Sequence, residues 1–396
     1  MAIQKTIDPV IRLSQSIVGQ QESDALIKVI LDDGYLGMGE QVKNFEREIA
    51  CYLGVPKEWV ICVNSGTAAL HLAVQAVTKA DDEVLVQSLT FVSSFQAISA
   101  ARAKPVPCEV HPETITINLR DAENRITKKT RAIMPVHYAS NPDNLDKVYE
   151  FARKYKLRVI EDAAHAFGCT FKKKKIGSFG DIICFSFDGI KNITSGEGGA
   201  VVTQNTETAQ RIRDSRLLGI EKDTEKRFLG ERSWDFNVVE QGYRYHMSNL
   251  FAAVGRVQLS RLNNEFAPKR IKLAELYRKQ LENVVGLQFL NTNLGPVVPH
   301  IQPVRVLEGK RNNLRLTLES QGIQTGIHYK PNHLLTFYNT GGMQLPVSER
   351  LYEELLSLPL HPGLSSNDVK NVCQAVIKFM KSFFYLSKFY RFNPTN

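Results

Sequence analysis

Between residues 58 and 205, short apolar and β-branched runs alternate with stretches whose apolar residues recur at helical spacing. WVICV (59–63), EVLVQ (83–87), KPVPCEV (104–110), RAIMPVH (131–137), LRVIED (157–162), DIICFSF (181–187) and GAVVT (199–203) read as strands. TAALHLAVQAVTKA (67–80), SSFQAISAARA (93–103) and NLDKVYEFARKYK (144–156) read as helices. Alternation of this kind predicts βαβ units around a mostly parallel sheet, an α/β fold. Ligands of such sheets sit where loops leave the carboxyl ends of the strands. The segment 207–230 reads as a helix followed by a charged loop. SNLFAAVGRVQLSRL, from Ser248, reads as a helix, and Pro268 starts or kinks the next one. Past about residue 285 the pattern shifts to short strands and helices that end near Lys381. The expected division is 1–255, an N-terminal arm with a large domain, and 256–396, a smaller C-terminal α/β domain. The tail SFFYLSKFYRFNPTN reads as a packed or frayed terminus rather than a binding arm.

With 396 residues, the chain has the length of about two to three ordinary domains. Apolar residues make up 43% and charged residues 23%, which excludes a disordered chain, a collagen and a coiled-coil rod. No apolar run approaches the ~18 residues of a membrane span, and the N-terminus lacks the apolar core of a secretory signal. Cysteines 51, 62, 108, 169, 184 and 373 are scattered without a CxxC pair. That pattern predicts neither a metal site nor a disulfide framework, and it suits a reducing cytoplasm. The formal charge of +9 favours anionic partners, but the basic residues are dispersed. One run, Lys172 to Lys175, lies between two strand-like segments and reads as a solvated hairpin tip, not a nucleic-acid patch.

Three strand ends carry sharper chemistry. In VNSGTAALHLAV a strand runs through Asn64, Ser65, Gly66 and Thr67 into a helix. Its exposed N–H groups and dipole would favour a phosphate, although a capped helix needs no ligand to explain it. In VIEDAAHAFG, Asp162 closes a β-branched strand at the sheet's working edge and His165 follows. An aspartate there serves as a cap or a metal ligand, and His165 reads equally as a core histidine. In FSFDGIKNITSGEGGAVV, Lys191 follows a buried strand, where desolvation disfavours its ammonium. The same penalty makes a good imine-forming amine, while a surface lysine with a packed stem is the plain alternative.

Phosphate cradle, carboxylate, then a lysine 29 residues later (191 minus 162) is the chain order of fold type I pyridoxal phosphate (PLP) enzymes. The chain resembles the nucleotide-sugar aminotransferases of the DegT family. GYLGMGEQVKNFE, VNSGTAALHLA, SLTFVSSFQAI, VIEDAAHAFG, GSFGDIICFSF, KNITSGEGGAVVT and IHYKPNH carry the resemblance, from about residue 34 to 362. It implies a fold type I aminotransferase: a large domain with a mostly parallel central sheet plus the smaller C-terminal domain.

The resemblance also assigns roles. Lys191 would form the imine with PLP, and Asp162 would hold the pyridine nitrogen protonated. Ser65, Gly66 and Thr67 would bind the cofactor phosphate, with Ser186 adding a hydroxyl. Phe91 would stack on the ring and His165 would lie near the 3-oxygen. Relatives carry G-Y-N-Y-R-M where this chain has GYRYHM, and their Asn reaches a neighbour's phosphate across a dimer interface. Arg244 stands there and His246 replaces the usual Arg, so Arg244 is the candidate for that contact. Such a composite site implies a homodimer. Tyr35, Lys330 and His333 are the substrate candidates. The implied reaction moves an amino group from glutamate to a keto-deoxysugar nucleotide, most simply at C-4 of a 4-keto-6-deoxyhexose, with a 3-keto sugar as runner-up. Its product would feed lipopolysaccharide O-antigen or other surface polysaccharide. Neither nucleic acid nor membrane is an expected partner. A non-catalytic regulator on this fold and a different PLP reaction are the competing classes. A dehydratase branch with His in place of the lysine is opposed by Lys191.

Overall fold

The computed structural model describes residues 10–231, 234–291, 297–339 and 341–392. The first nine residues, which belong to the expected absence of a secretory signal, and residues 393–396 of the tail lie outside them. The seven expected strands form as β1 (Val60–Val63), β2 (Glu83–Gln87), β3 (Lys104–Cys108), β4 (Thr130–Met134), β5 (Arg158–Asp162), β8 (Ile182–Ser186) and β9 (Gly199–Thr203). They build one sheet in the order β1-β9-β8-β5-β4-β2-β3. Only β9 runs antiparallel to its neighbours, β1 and β8. Both faces of the sheet are covered, which explains why the strands are apolar throughout rather than alternating. In β8, Ile182 and Cys184 join the core with Leu70, Val84 and Ile160, whereas Ile183 and Phe185 face Phe45, Phe167 and Phe187.

Between β5 and β8 the chain makes the hairpin β6 (Thr170–Phe171) and β7 (Lys174–Lys175). Lys172 and Lys173 form its two-residue tip, both in the left-handed region. This is the conformation a tight hairpin turn demands. The lysine run therefore sits on a tip, as expected.

The expected charged loop within 207–230 is instead a second helix. Thr206–Ser215 is followed by Asp223–Phe228. Asp223 at its start accepts from Arg227 Nε at 2.6 Å, an i,i+4 pair that local composition concealed. Helix Asn249–Arg261 passes through a wide turn at Leu262–Phe266 into helix Ala267–Leu281, and Pro268 occupies the first turn, where its missing N–H is harmless. Along this run the chain leaves the first core (Leu262, Phe266) for another (Leu273, Tyr277, Leu281). That second core covers a three-stranded antiparallel sheet of β10 (Leu287–Phe289), β11 (Gln302–Val306) and β12 (Leu355–Leu358). The last helix runs Ser366–Phe392, beyond the expected end near Lys381.

Candidate active site

The carboxyl ends of β5 and β8, and the turn after β1, open onto one cleft of about 290 Å³. Its walls include eight of the expected residues: Ser65, Gly66, Thr67, Phe91, Asp162, His165, Ser186 and Lys191.

Ser65 caps the helix Gly66–Val77. Its Oγ accepts from Ala68 N–H and its carbonyl from Ala69 N–H, both at 3.1 Å. The first two helical N–H groups, of Gly66 and Thr67, have no protein acceptor among the described residues and lie on the cleft wall. They carry the positive end of the helix dipole. Gly66 is required by proximity, not by backbone conformation. A β-carbon on it would stand 2.7 Å from that of Ser186.

Asp162 is only 4% exposed. Its Oδ2 accepts from Ser94 Oγ at 2.7 Å and its Oδ1 from Ala164 N–H at 3.2 Å. Burial pushes its pKa up, against the opposing pull of these two donors and of Lys191 and His137. Such a carboxylate binds a proton more tightly than an exposed one. Glu161, its neighbour in β5, faces the other way, onto His137 Nε2 at 2.8 Å and Tyr149 Oη at 2.5 Å.

Lys191 lies in the loop after β8. Its amine makes no hydrogen bond or ion pair among the described residues. Burial lowers its pKa, while the carboxylates of Asp188 and Asp162 act in the opposite sense. The balance favours a neutral amine more than on an exposed lysine, as imine formation and proton transfer require.

His165 Nε2 lies 3.1 Å from Tyr329 Oη, and its ring stands 4.3 Å from that of His300. Burial, with the Lys191 charge, holds it well below the ordinary imidazole pKa. Its buried Nδ1 has no partner among the described residues. Phe91 is 53% exposed on the rim, 5.4 Å from the Tyr329 ring.

Four expectations do not meet the cleft of this chain. Arg244 is exposed and outside it; its carbonyl accepts from Asn64 Nδ2. Tyr35 packs its ring over Gly37 and Gly39, while its carbonyl accepts from Asn249 Nδ2 at 2.8 Å. Lys330 points to solvent. His333 is corrected to a structural residue: it is 2% exposed, and its ring nitrogens meet Ser88 Oγ at 2.7 Å and Glu349 Oε1 at 3.1 Å. No ring nitrogen of His333 is left for a substrate.

Conversely, Asp188, Glu197, His328 and Tyr329 line the cleft, and Ser94 braces Asp162, without having been singled out. Asp188 and Tyr329 sit three and one residues from expected ones, so proximity in sequence was a usable signal. Ser94 was not findable this way, because only folding brings it to Asp162, 68 residues away.

These groups fit pyridoxal phosphate. The two free N–H groups and the Ser186 hydroxyl match a phosphate, the buried Asp162 matches a basic ring nitrogen, and the unpaired Lys191 matches an aldehyde. Among the described residues, no group of three His, Cys, Asp or Glu is placed to hold a metal ion.

The model of the DegT/DnrJ/EryC1/StrS aminotransferase family matches residues 18–377. The chain is 34% identical over 374 residues to dTDP-4-dehydro-2,3,6-trideoxy-D-glucose 4-aminotransferase of Saccharopolyspora spinosa, covering 91% of this chain and 94% of that protein. The fold matches the aminotransferase TlmJ from Streptoalloteichus hindustanus with a TM-score of 0.87 and 31% identity, over 94% of this chain and 100% of that one. It also matches the PLP-form structure of Spr1654 from Streptococcus pneumoniae, with a TM-score of 0.86 and 26% identity, over 94% and 99% of the two chains.

Proposed function

The chain belongs to the DegT/DnrJ/EryC1/StrS aminotransferase family, and we propose that it transfers an amino group from glutamate to C-4 of a 4-keto-6-deoxyhexose nucleotide. It is a sugar aminotransferase, and its cofactor is PLP. Bound PLP supplies an aldehyde that links to amines and a ring that draws electrons from the adjacent carbon.

The protein's part follows from the cleft. Gly66 and Thr67 N–H groups and the Ser186 hydroxyl would hold the phosphate, with Ser65 fixing the turn that presents them. Phe91 would cover the ring and His165 would serve its 3-oxygen. Asp162 would keep a proton on the ring nitrogen through its negative charge, which its two donors, Ser94 Oγ and Ala164 N–H, help to maintain against burial. Lys191 would hold the aldehyde carbon, and its amine, when free, would be placed to take a proton from the donor's α-carbon and return it nearby. The donor glutamate would leave as 2-oxoglutarate, and the keto-sugar would receive the amino group.

The observation that carries this reading is the partly buried, unpaired Lys191 sharing one cleft with Asp162 and a helix N-terminus. The C-4 position is supported by the likeness to the Saccharopolyspora spinosa enzyme. Arg244, exposed and outside the cleft of its own chain, would reach the cofactor phosphate of a second subunit, which would make the functional unit a homodimer with composite sites. The exposed Leu229, Trp234 and Val239, 72%, 85% and 67% accessible in the single chain, support such an interface. The enzyme would act in the cytoplasm and supply amino sugar for surface polysaccharide. Incubation with glutamate and 4-keto or 3-keto sugar nucleotides, with the aminated carbon located by NMR, tests it. Amination only of the 3-keto substrates would overturn the C-4 assignment.

A further inference from the structure

Arg270, on helix Ala267–Leu281, is 2% exposed and faces no carboxylate within salt-bridge distance among the described residues. A buried guanidinium without a counter-ion is costly unless its donors are used. Here the two terminal nitrogens meet backbone carbonyls from three separate segments, while the buried Nε has no partner among the described residues. Nη1 points to Pro299, His300 and Leu360 oxygens at 3.3, 3.1 and 3.4 Å. Nη2 points to Ile190 and Lys191 oxygens at 3.5 and 3.4 Å. All but the His300 contact are long, but the planar fork spans all five, which no flexible ammonium reproduces. The His300 ring in turn lies against His165 in the cleft, their planes tilted by 48°.

We propose that Arg270 is a positioning residue for Lys191: it clamps the backbone of the reacting amine to the segments that follow β10 and β12, including His300, whose ring packs against His165. This rests on the reading of Lys191 as the reacting amine. Clamping the carbonyl of Lys191 fixes where its side chain starts, and a misplacement near 1 Å costs up to about a hundredfold in rate. The fixed charge adds a second effect. Arg270 is one of the groups that depress the Lys191 pKa, after burial and against Asp188 and Asp162. His165, His300 and His328 also act on that amine, each in turn held low with Lys191 contributing, and Glu197 and Tyr329 line the same cleft.

The test uses full-length, cofactor-free protein and two variants, Arg270→Gln and Arg270→Lys. PLP is added, borohydride stops the reaction at set times, and mass spectrometry counts cofactor fixed on the Lys191 peptide per folded molecule. In parallel, acetic anhydride labels Lys191 across a pH series. Both variants should capture PLP at least about tenfold more slowly than wild type. Arg270→Gln should also move the Lys191 labelling midpoint to higher pH, whereas Arg270→Lys, which keeps the charge, should leave it in place. If Arg270→Gln does not fold, the capture rate of Arg270→Lys decides. Wild-type capture in a folded variant overturns the proposal, since a residue that served stability alone would change neither readout. Wild-type protein that fixes no PLP on Lys191 would overturn the reading of the site itself, and this inference with it.

Discussion

Gly66 and Ser186 approach so closely that a β-carbon on Gly66 would lie 2.7 Å from that of Ser186 and 3.2 Å from its α-carbon. The start of one helix is thus pressed against the end of a central strand, and both sides of the contact face the cleft. Gly66→Ala must push them apart. Overpacking of this kind costs about 1–3 kcal/mol. The same displacement should spoil the phosphate cradle, so PLP affinity should fall by about tenfold or more, in line with the loss of about one well-placed charge-assisted hydrogen bond. A PLP titration beside a denaturant melt checks both effects; wild-type PLP affinity would show that the cradle lies elsewhere.

Asp162→Asn separates charge from shape. The amide keeps an oxygen for the Ala164 N–H and a group that can meet Ser94 Oγ, so the fold should survive. What is lost is the carboxylate that holds a proton on the ring. Turnover should drop by about 10²–10⁴-fold, the usual range for a positioned acid–base group. PLP retention should fall far less. Turnover near wild type would remove Asp162 from the chemistry.

Acid should weaken the protein through its histidines. Burial, with the Lys191 charge, brings His328 down to a pKa of about 4, and burial holds His165 and His300 well below the ordinary value. Between about pH 6.5 and 4 the unfolded chain therefore binds protons that the folded chain refuses, so stability rises with pH there and falls on acidification. At about 1.4 kcal/mol per pKa unit, His328 alone is worth roughly 3 kcal/mol by pH 4. Denaturant midpoints of wild type and His328→Gln at about pH 7 and pH 5 test this: the variant should lose less stability between them. Identical losses would exclude His328.

Arg244 tests the composite site. It is exposed in the single chain and outside the cleft, so a cofactor contact requires a second subunit. Arg244→Ala should raise the PLP Kd while sedimentation still reports a dimer. An unchanged Kd would remove Arg244 from the site.

Much of the fold was legible because strands buried on both faces announce themselves as apolar runs, and β2 and β9 begin and end where the pattern places them. The three strand ends were legible too, since Ser65, Asp162 and Lys191 each follow a run that fixes their place at one sheet edge. Long-range pairings were not. His333 looked available in IHYKPNH, yet Ser88 and Glu349 engage both its ring nitrogens, from 245 and 16 residues away. Tyr329 in the same stretch reaches His165 instead. The Asp223–Phe228 helix was hidden because its charged composition reads as loop until Asp223 is buried against Arg227. Arg270 resembled any helix-surface arginine until the carbonyls around it were in place.

The most direct test of the central claim is the visible absorbance of the PLP-loaded wild-type protein and of Lys191→Ala, each recorded before and after glutamate. The wild type should be yellow and lose that band on adding glutamate, while folded Lys191→Ala should lack the lysine-linked band from the outset and turn over no substrate. A wild-type protein that takes up no PLP, or a Lys191→Ala variant with the wild-type spectrum and turnover, would contradict the account.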